Sequence, residues 1–270
     1  MRLPGRLLLL GHPVVHSLSP RFQNAALDAA GIPIRYEALD VAGHDFDRVI
    51  ESLRAEDTWG NVTVPHKERM YDACDVLTPL ARRVQAVNTF WLEDTGLLAG
   101  DNTDVGGFAA AVESLLGGAP RNLAVGVLGA GGTASAVLTA IEAWPGCYAH
   151  VYNRTPERSR VLCERFGTIA QPIDDIGVAA GADLVVNATS VGLHDDKFPM
   201  DPAIVAPTSA VIDIVYRPGE TAWVRALRAK GLRACDGLGM LVEQGALAFE
   251  RWFGRPPDRS VMWEAIRRQQ

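Results

Sequence analysis

The stretch Gly60-Asn-Val-Thr-Val-Pro-His-Lys67 carries a lysine out of a β-branched run and into what the pattern predicts to be the first turn of a helix. A cation is poorly placed there, because the aligned peptide dipoles put partial positive charge at a helix N-terminus. The position suits a side chain that must release and regain a proton near neutral pH, so Lys67 is a candidate for general acid–base chemistry. The segment alone equally allows a solvated surface lysine.

A second chemical signature is Gly129-Ala130-Gly131-Gly132-Thr133-Ala134, a GxGxxA variant of the dinucleotide fingerprint. Its context gives it weight: a predicted strand, Leu123–Leu128, runs into it and a helix-like run, Ser135–Ala143, follows. The glycines then fall where backbone must approach a pyrophosphate at a helix N-terminus. A glycine turn serving only tight strand-to-helix packing is the alternative.

The next predicted strand, Ala149–Tyr152, ends in Asn153-Arg154-Thr155-Pro-Glu-Arg158. An NAD-binding protein usually places an acidic residue there for the ribose 2′-hydroxyl. Arg154, helped by Thr155 and Arg158, instead offers charge-assisted hydrogen bonds to a 2′-phosphate, so NADP is expected rather than NAD. Thr155 and Pro156 also read as the start of a helix, but that does not explain the missing acid.

Polar side chains fall at strand ends and helix starts at Ser17, Ser19, Asn61, Thr63, Asn88, Asp104 and Gln244. Most are neutral donor-acceptors, which suits a ligand with several hydroxyls. Ser17-Leu-Ser19-Pro20 opens a predicted helix whose free N–H groups could hold a carboxylate. Ser19, before a proline at the first helical position, reads equally as an ordinary cap, whereas Ser17 has no such local role. Asp104 precedes a helix and could simply cap it. Gln244 lies one turn from Met240 and Ala248, where a buried amide would need a partner, or else sits at the edge of that stripe.

Strand-like and helix-like runs alternate almost throughout, which predicts an α/β fold with mainly parallel sheets. The first half reads Arg6–Leu10 strand, Pro20–Ala30 helix, Arg35–Val41 strand, Asp45–Arg54 helix, Asn61–Val64 strand, the helix bearing Lys67, a helix near Pro79–Gln85, and a hairpin of Asn88–Leu92 with Leu97–Ala99 across Asp94-Thr-Gly96. The second half reads Val105–Leu116 helix, then the strand and fingerprint, then strands Leu184–Asn187, Val211–Ile214 and Leu232–Ala234, with Thr221–Ala229 a helix and a final helix pair after Asp236-Gly-Leu-Gly239. Residues 105–237 are thus expected to form a Rossmann-like cofactor domain and residues 1–104 to hold the substrate.

The 270 residues, 48% hydrophobic and 21% charged, are those of an ordinary globular chain. A net charge of −6 with no Lys/Arg block argues against nucleic-acid binding. No apolar run approaches the roughly 18 residues that cross a bilayer, and Leu7–Leu10 is too short for a signal-peptide core, so a cytoplasmic location without a membrane role is expected. Cys74, Cys147, Cys163 and Cys235 lie far apart with no CxxC pair, which predicts buried reduced thiols and no metal site.

Together these segments resemble the shikimate dehydrogenase family over nearly the whole chain. The resemblance is carried by Gly11-His-Pro-Val-Val-His-Ser17-Leu-Ser19-Pro20, Asn61-Val-Thr-Val-Pro-His-Lys67, Ala86-Val-Asn88-Thr89, Gly100-Asp-Asn-Thr-Asp104, the fingerprint at Gly129, Asn153-Arg-Thr155, Asn187-Ala-Thr-Ser190 and Gly237-Leu-Gly-Met-Leu-Val-Glu-Gln244. It implies two α/β domains around a cleft, residues 238–270 returning to the substrate domain, and reversible reduction of 3-dehydroshikimate to shikimate with NADPH. By family position Ser17, Ser19, Thr63, Lys67, Asn88, Asp104, Tyr216 and Gln244 would contact substrate, with Asn61 near its hydroxyls. Gly129 to Thr133, Asn153, Arg154, Thr155, Arg158, Thr189, Ile214 and Gly237 would line the cofactor. Lys67 would protonate the forming alkoxide while Asp104 orients it.

Two positions depart from the family pattern. Gln23 stands where histidine is common, and Ser135 stands where many members carry arginine, which leaves NADP preference to Arg154 and Arg158. The rival readings are a quinate/shikimate dehydrogenase-like paralogue using NAD or another hydroxy acid, and a non-catalytic NADP-sensing protein. A monomer or a homodimer fits the sequence equally.

Overall fold

Leu7 to Leu10 form an unbroken apolar run, which is what a strand covered on both faces requires. In the computed structural model, which describes residues 2–267, that run lies in strand β1 (Arg6–Gly11), and those four leucines are at most 3% exposed. The chain continues through α1 (Ser19–Ala29), β2 (Tyr36–Asp40), α2 (Phe46–Ala55), β3 (Thr58–Val62), α3 (Lys67–Ala73), β4 (Val76–Leu77), α4 (Pro79–Val84), β5 (Thr89–Leu92) and β6 (Leu98–Asp101). These strands form one sheet in the order β2-β1-β3-β5-β6-β4. β1 pairs parallel with β2 and β3, and β4 with β6, while β5 runs antiparallel to both neighbours. The hairpin expected across Asp94-Thr-Gly96 is the β5–β6 pair, turned by Gly96 at φ +79°.

The next elements are α5 (Asp104–Leu116), β7 (Ala124–Leu128), α6 (Gly132–Glu142), β8 (Tyr148–Tyr152), α7 (Pro156–Glu164), β9 (Ala170–Ile173), α8 (Ile176–Ala180), β10 (Leu184–Asn187), β11 (Ala210–Asp213), α9 (Ala222–Ala229) and β12 (Arg233–Cys235). Their sheet is parallel throughout, in the order β12-β11-β10-β7-β8-β9. The strand order reverses at β7, whose two sides lead to β8 and to β10, and ligands of such sheets bind at the carboxyl ends beside that reversal. Val125, Val127, Val137, Ile141, Val186 and Ile212 belong to the core between this sheet and its helices.

Two helices complete the chain, α10 (Leu238–Phe253) and α11 (Arg259–Arg267). The protein divides into two compact units, Met1–Asp104 with Leu241–Gln270, and Val105–Met240. Within the first unit the C-terminal helices cover the earlier elements. Trp252 Nε1 donates to the Phe90 carbonyl at 3.2 Å, Gln23 Nε2 to the Gly245 carbonyl at 2.9 Å, and Arg251 Nη2 to Asp101 Oδ2 at 2.6 Å. The fold is therefore α/β with two mainly parallel sheets.

The strands and helices expected from sequence are present with boundaries moved by a few residues. β4, β9 and α8 were not expected. β4 has two residues and α8 five, too few for a period to show. β9 contains Pro172, tolerated because β9 is the edge strand of its sheet.

Candidate active site

Lys67 is the first residue of α3, and its Nζ donates to Asp104 Oδ2 at 2.6 Å. The carboxylate answers the helix-end field that the lysine otherwise faces. Asp104 is 4% exposed, and its second oxygen, Oδ1, accepts from Asn88 Nδ2 at 2.8 Å. Asn88 Nδ2 also lies 2.9 Å from Thr103 Oγ1 and 3.3 Å from Gln244 Oε1, while Asn88 Oδ1 accepts the Thr103 N–H at 2.7 Å. The Gln244 amide donates in turn to the Leu241 carbonyl at 2.8 Å. Asn61 joins from β3, its Nδ2 donating to the Asn88 carbonyl at 3.0 Å and to Thr89 Oγ1 at 2.9 Å, and its Oδ1 accepting from the Tyr36 hydroxyl. Five of the residues expected to form the substrate site, Asn61, Lys67, Asn88, Asp104 and Gln244, thus share one hydrogen-bond network within the first unit.

Asp104 does not spend its side chain as a cap. Asn102 Oδ1 accepts the Asp104 N–H at 3.1 Å, and the two carboxylate oxygens are engaged by Lys67 and Asn88. Sequence reasoning missed Asn102 and Thr103 as supports, although both lie in the Gly100–Asp104 motif. The serines are corrected in the opposite direction. α1 begins at Ser19 with Leu18 as its cap residue, so Ser19 is not the cap, and Ser17, for which no local role was expected, accepts the Ser19 N–H on its Oγ at 3.2 Å. Ser17 and Ser19 lie after β1, and Thr63 after β3. The two loops run side by side, with Thr63 N–H donating to the Leu10 carbonyl and His12 N–H to the Val64 carbonyl. Thr63 sits at the carboxyl end of β3, Ser17 in the loop between β1 and α1 and Ser19 at the start of α1, and the bonds of the Asn88 network do not include them.

In the second unit Gly129 follows β7 with φ +114°, and a Cβ there would stand 2.9 Å from the Ala188 carbonyl oxygen. Glycine is thus required twice over, by conformation and by the approach of the loop after β10. α6 starts at Gly132 behind an extended Gly131, and no side chain caps it. Uncapped N–H groups behind a glycine turn fit a pyrophosphate.

Asn153 Nδ2 folds back onto the Thr155 carbonyl at 2.8 Å, and Thr155 and Pro156 start α7 as expected. Arg154 and Arg158 are exposed, and among the described residues neither guanidinium has an acidic partner, whereas nearby Arg160 faces Glu157 and Asp174. Thr189 follows β10, Ile214 and Tyr216 follow β11, and Gly237 follows β12, all at strand carboxyl ends of the second unit. A Cβ on Gly237 would lie 2.0 Å from the Ile214 carbonyl oxygen, so only glycine allows that contact.

The two departures are both buried. Gln23 is fully covered, with its Oε1 lacking a partner, and Ser135 Oγ lies 3.3 Å from Arg165 Nη2. The four cysteines are free thiols, Cys147 and Cys163 buried and Cys74 and Cys235 half-buried. Burial pushes Cys74 and Cys235 up to about 12 and Cys163 up to about 11, which disfavours the thiolate as a nucleophile. No helix among the described residues is long and apolar enough to cross a membrane.

A family model described as the shikimate dehydrogenase substrate binding domain matches residues 9–90, and one described as the shikimate 5′-dehydrogenase C-terminal domain matches residues 237–267. The chain is 43% identical over 264 residues to a shikimate dehydrogenase (NADP(+)) of Thermus thermophilus, covering 97% of this chain and 98% of that one. A crystal structure of shikimate 5-dehydrogenase from Thermus thermophilus in complex with NADP(H) and shikimate superposes with a TM-score of 0.88 at 42% identity, covering 98% of this chain and 99% of that one. Quinate dehydrogenase from Corynebacterium glutamicum in complex with NAD superposes with a TM-score of 0.87 at 29% identity, covering 97% and 98%. The backbone is therefore common to enzymes solved with NADP(H) and with NAD. With both sheets, the fingerprint and the Asn88 network in place, and with identity above 40% along nearly its whole length, the chain belongs to the shikimate dehydrogenase family.

Proposed function

We propose that the protein catalyses the reversible NADPH-dependent reduction of 3-dehydroshikimate to shikimate, as a cytoplasmic enzyme acting as a monomer or homodimer. The observation that carries the reading is the Lys67–Asp104 pair at 2.6 Å, steadied by Asn88 and Gln244 in the unit that contains the substrate-domain match. Ser17, Ser19, Asn61, Thr63 and Tyr216, the other substrate contacts that the family resemblance implies, would supply further polar contacts to a hydroxylated carboxylate.

The Gly129–Thr133 turn with Thr189, Ile214 and Gly237 would hold NADPH, which when bound would supply hydride for the carbonyl carbon. Lys67 gives its proton to the oxygen as negative charge develops there. Asp104 holds the ammonium in place and accepts a hydrogen bond from a substrate hydroxyl. In the oxidative direction Lys67 takes the proton back. Arg154 and Arg158, with Asn153 and Thr155, hold the 2′-phosphate and select NADP over NAD.

The deciding experiment is the initial rate of shikimate oxidation with NADP and with NAD, quinate serving as the competing substrate. Turnover confined to shikimate with NADP is expected. Preference for quinate with NAD would assign the chain to the quinate-type branch, and NADPH binding without turnover on any substrate would make it a sensing protein.

A further inference from the structure

Asp213 ends β11, is 1% exposed, and has no part in the chemistry above. Its carboxylate is nonetheless the hub of a buried network. Oδ1 accepts from Asn187 Nδ2 at 2.7 Å and from the Val215 N–H at 3.2 Å, and Oδ2 accepts from the Thr221 hydroxyl at 2.7 Å. Asn187, itself fully buried at the end of β10, passes the constraint outward: its Oδ1 accepts both the Thr189 N–H at 3.0 Å and the Thr189 hydroxyl at 2.7 Å. On the other side the Val215 carbonyl accepts the Gly237 N–H at 3.0 Å, and the Ile214 N–H donates to the Asn187 carbonyl at 3.0 Å. One carboxylate therefore ties together the loops after β10, β11 and β12.

We propose that Asp213 is a positioning residue for the cofactor, fixing the Thr189 hydroxyl through Asn187 and the Ile214–Gly237 contact through the Val215 amide. The inference rests on the proposed roles of Thr189, Ile214 and Gly237 in holding NADPH. An apolar residue at the end of a core strand would be the ordinary choice, and a buried carboxylate is retained only where its acceptors are used. All three of its bonds are accepted ones, so protonation disturbs the hub: with Thr221 donating to Oδ2 and taking the Val224 N–H, an added proton there forces one donor to turn away.

Burial raises the Asp213 carboxyl to about 6, with repulsion from Asp236 adding to it. Cys235 on β12 is a neutral thiol, Asp236 is itself raised by burial, with Glu220 pushing it further up and Arg228 of α9 pulling it down, and Asn187, Thr189 and Thr221 are uncharged. The hub is intact above that value and loosened below it.

The test is the NADPH dissociation constant, read by nucleotide fluorescence, for the wild type, Asp213→Asn, Thr189→Val and the double variant at pH 7.5 and pH 5. The amide side chain keeps the shape of the carboxylate but loses the charge that strengthens the Asn187 and Val215 bonds, so Asp213→Asn should weaken binding roughly tenfold at pH 7.5. At pH 5 the gap should shrink, because the wild type is then neutral there too; the shared baseline also cancels titration of the 2′-phosphate. The penalty of the double variant should fall short of the sum of the two single penalties, because the Thr189 arm is shared and the Ile214–Gly237 arm is not. A gap equal at both pH values, or penalties that simply add, would overturn the proposal. Failure of the wild type to bind NADPH at either pH would instead bring down the cofactor reading beneath it.

Discussion

The Asn88 side-chain amide lies 2.8 Å from Oδ1 of Asp104, leaving Oδ2 to the Lys67 ammonium at 2.6 Å. Each oxygen of one buried carboxylate therefore has its own donor, and the lysine head group has a defined direction. A lysine on a flexible stem gains accuracy only from such a partner.

Lys67→Ala is expected to lower kcat roughly 10²- to 10⁴-fold, the usual contribution of a positioned acid–base group. Shikimate binding, measured directly, should stay within a few-fold of the wild type. Near-normal kcat in this variant would remove Lys67 from the mechanism.

Asn88→Ala leaves Asp104 Oδ1 and the Thr103 N–H without their partners in a buried setting. Stability should fall by about 1–3 kcal/mol in urea unfolding. Activity should fall as well, since Asp104 is then free to turn. Unchanged kcat/KM in a variant that unfolds more easily would confine Asn88 to structure.

Arg154 and Arg158 stand exposed at the end of β8 and the start of α7, without acidic partners among the described residues. Replacing both by alanine should raise the KM for NADP roughly 10- to 100-fold, as expected for lost charge-assisted bonds, and leave the KM for NAD nearly unchanged. Equal loss for both nucleotides would mean that the arginines do not read the 2′-phosphate.

Asp213 carries a pH signature in stability as well as in binding. Its carboxyl is raised from 3.8 to about 6 by burial, so the folded state binds a proton that the unfolded state releases across that window. The penalty for the buried charge is fully present above about 6 and is relieved as pH falls through that value. The stability of the wild type relative to Asp213→Asn should therefore rise as pH falls from 7.5 to 4, by up to about 3 kcal/mol. A stability difference that stays the same from pH 7.5 to pH 4 would contradict the assigned direction.

Arg251 of α10 reaches Asp101 at 2.6 Å while its guanidinium lies over the Trp91 ring at 5.5 Å. Asp101 is 4% exposed, and Arg251 is about half-exposed, so the pair is only partly shielded. Arg251→Ala should cost about 1–2 kcal/mol in urea unfolding. NADPH affinity should not change, because both residues lie in the first unit.

Much of the scaffold was legible because its elements announce themselves by period and punctuation. β1 reads as a continuous apolar run, and the β7–Gly129–α6 passage as strand, glycines and helix. β9 escaped because Pro172 argues against a strand until its edge position is known. The site was legible only in pieces. Lys67 and Asp104 lie far apart in sequence, and no local pattern joins them; the family resemblance did. That Ser19 is not the cap of α1, and that Ser17 Oγ accepts the Ser19 N–H, could not be read locally, because both depend on where the helix starts. Asp213 looked like any residue at a strand end, since a hub made of three strand termini exists only after the sheet has formed.

The first unit is built from two separated stretches of chain, Met1–Asp104 and Leu241–Gln270, whereas the second is one continuous stretch. During synthesis the order of completion is therefore inverted. The ribosome delivers the earlier stretch of the first unit and then the whole of the second before the helices that cover Phe90 and Gln23 emerge. Until then the half-made unit exposes apolar surface, which is where a chaperone would be needed, and where slow translation of the intervening stretch would lengthen the risk of aggregation.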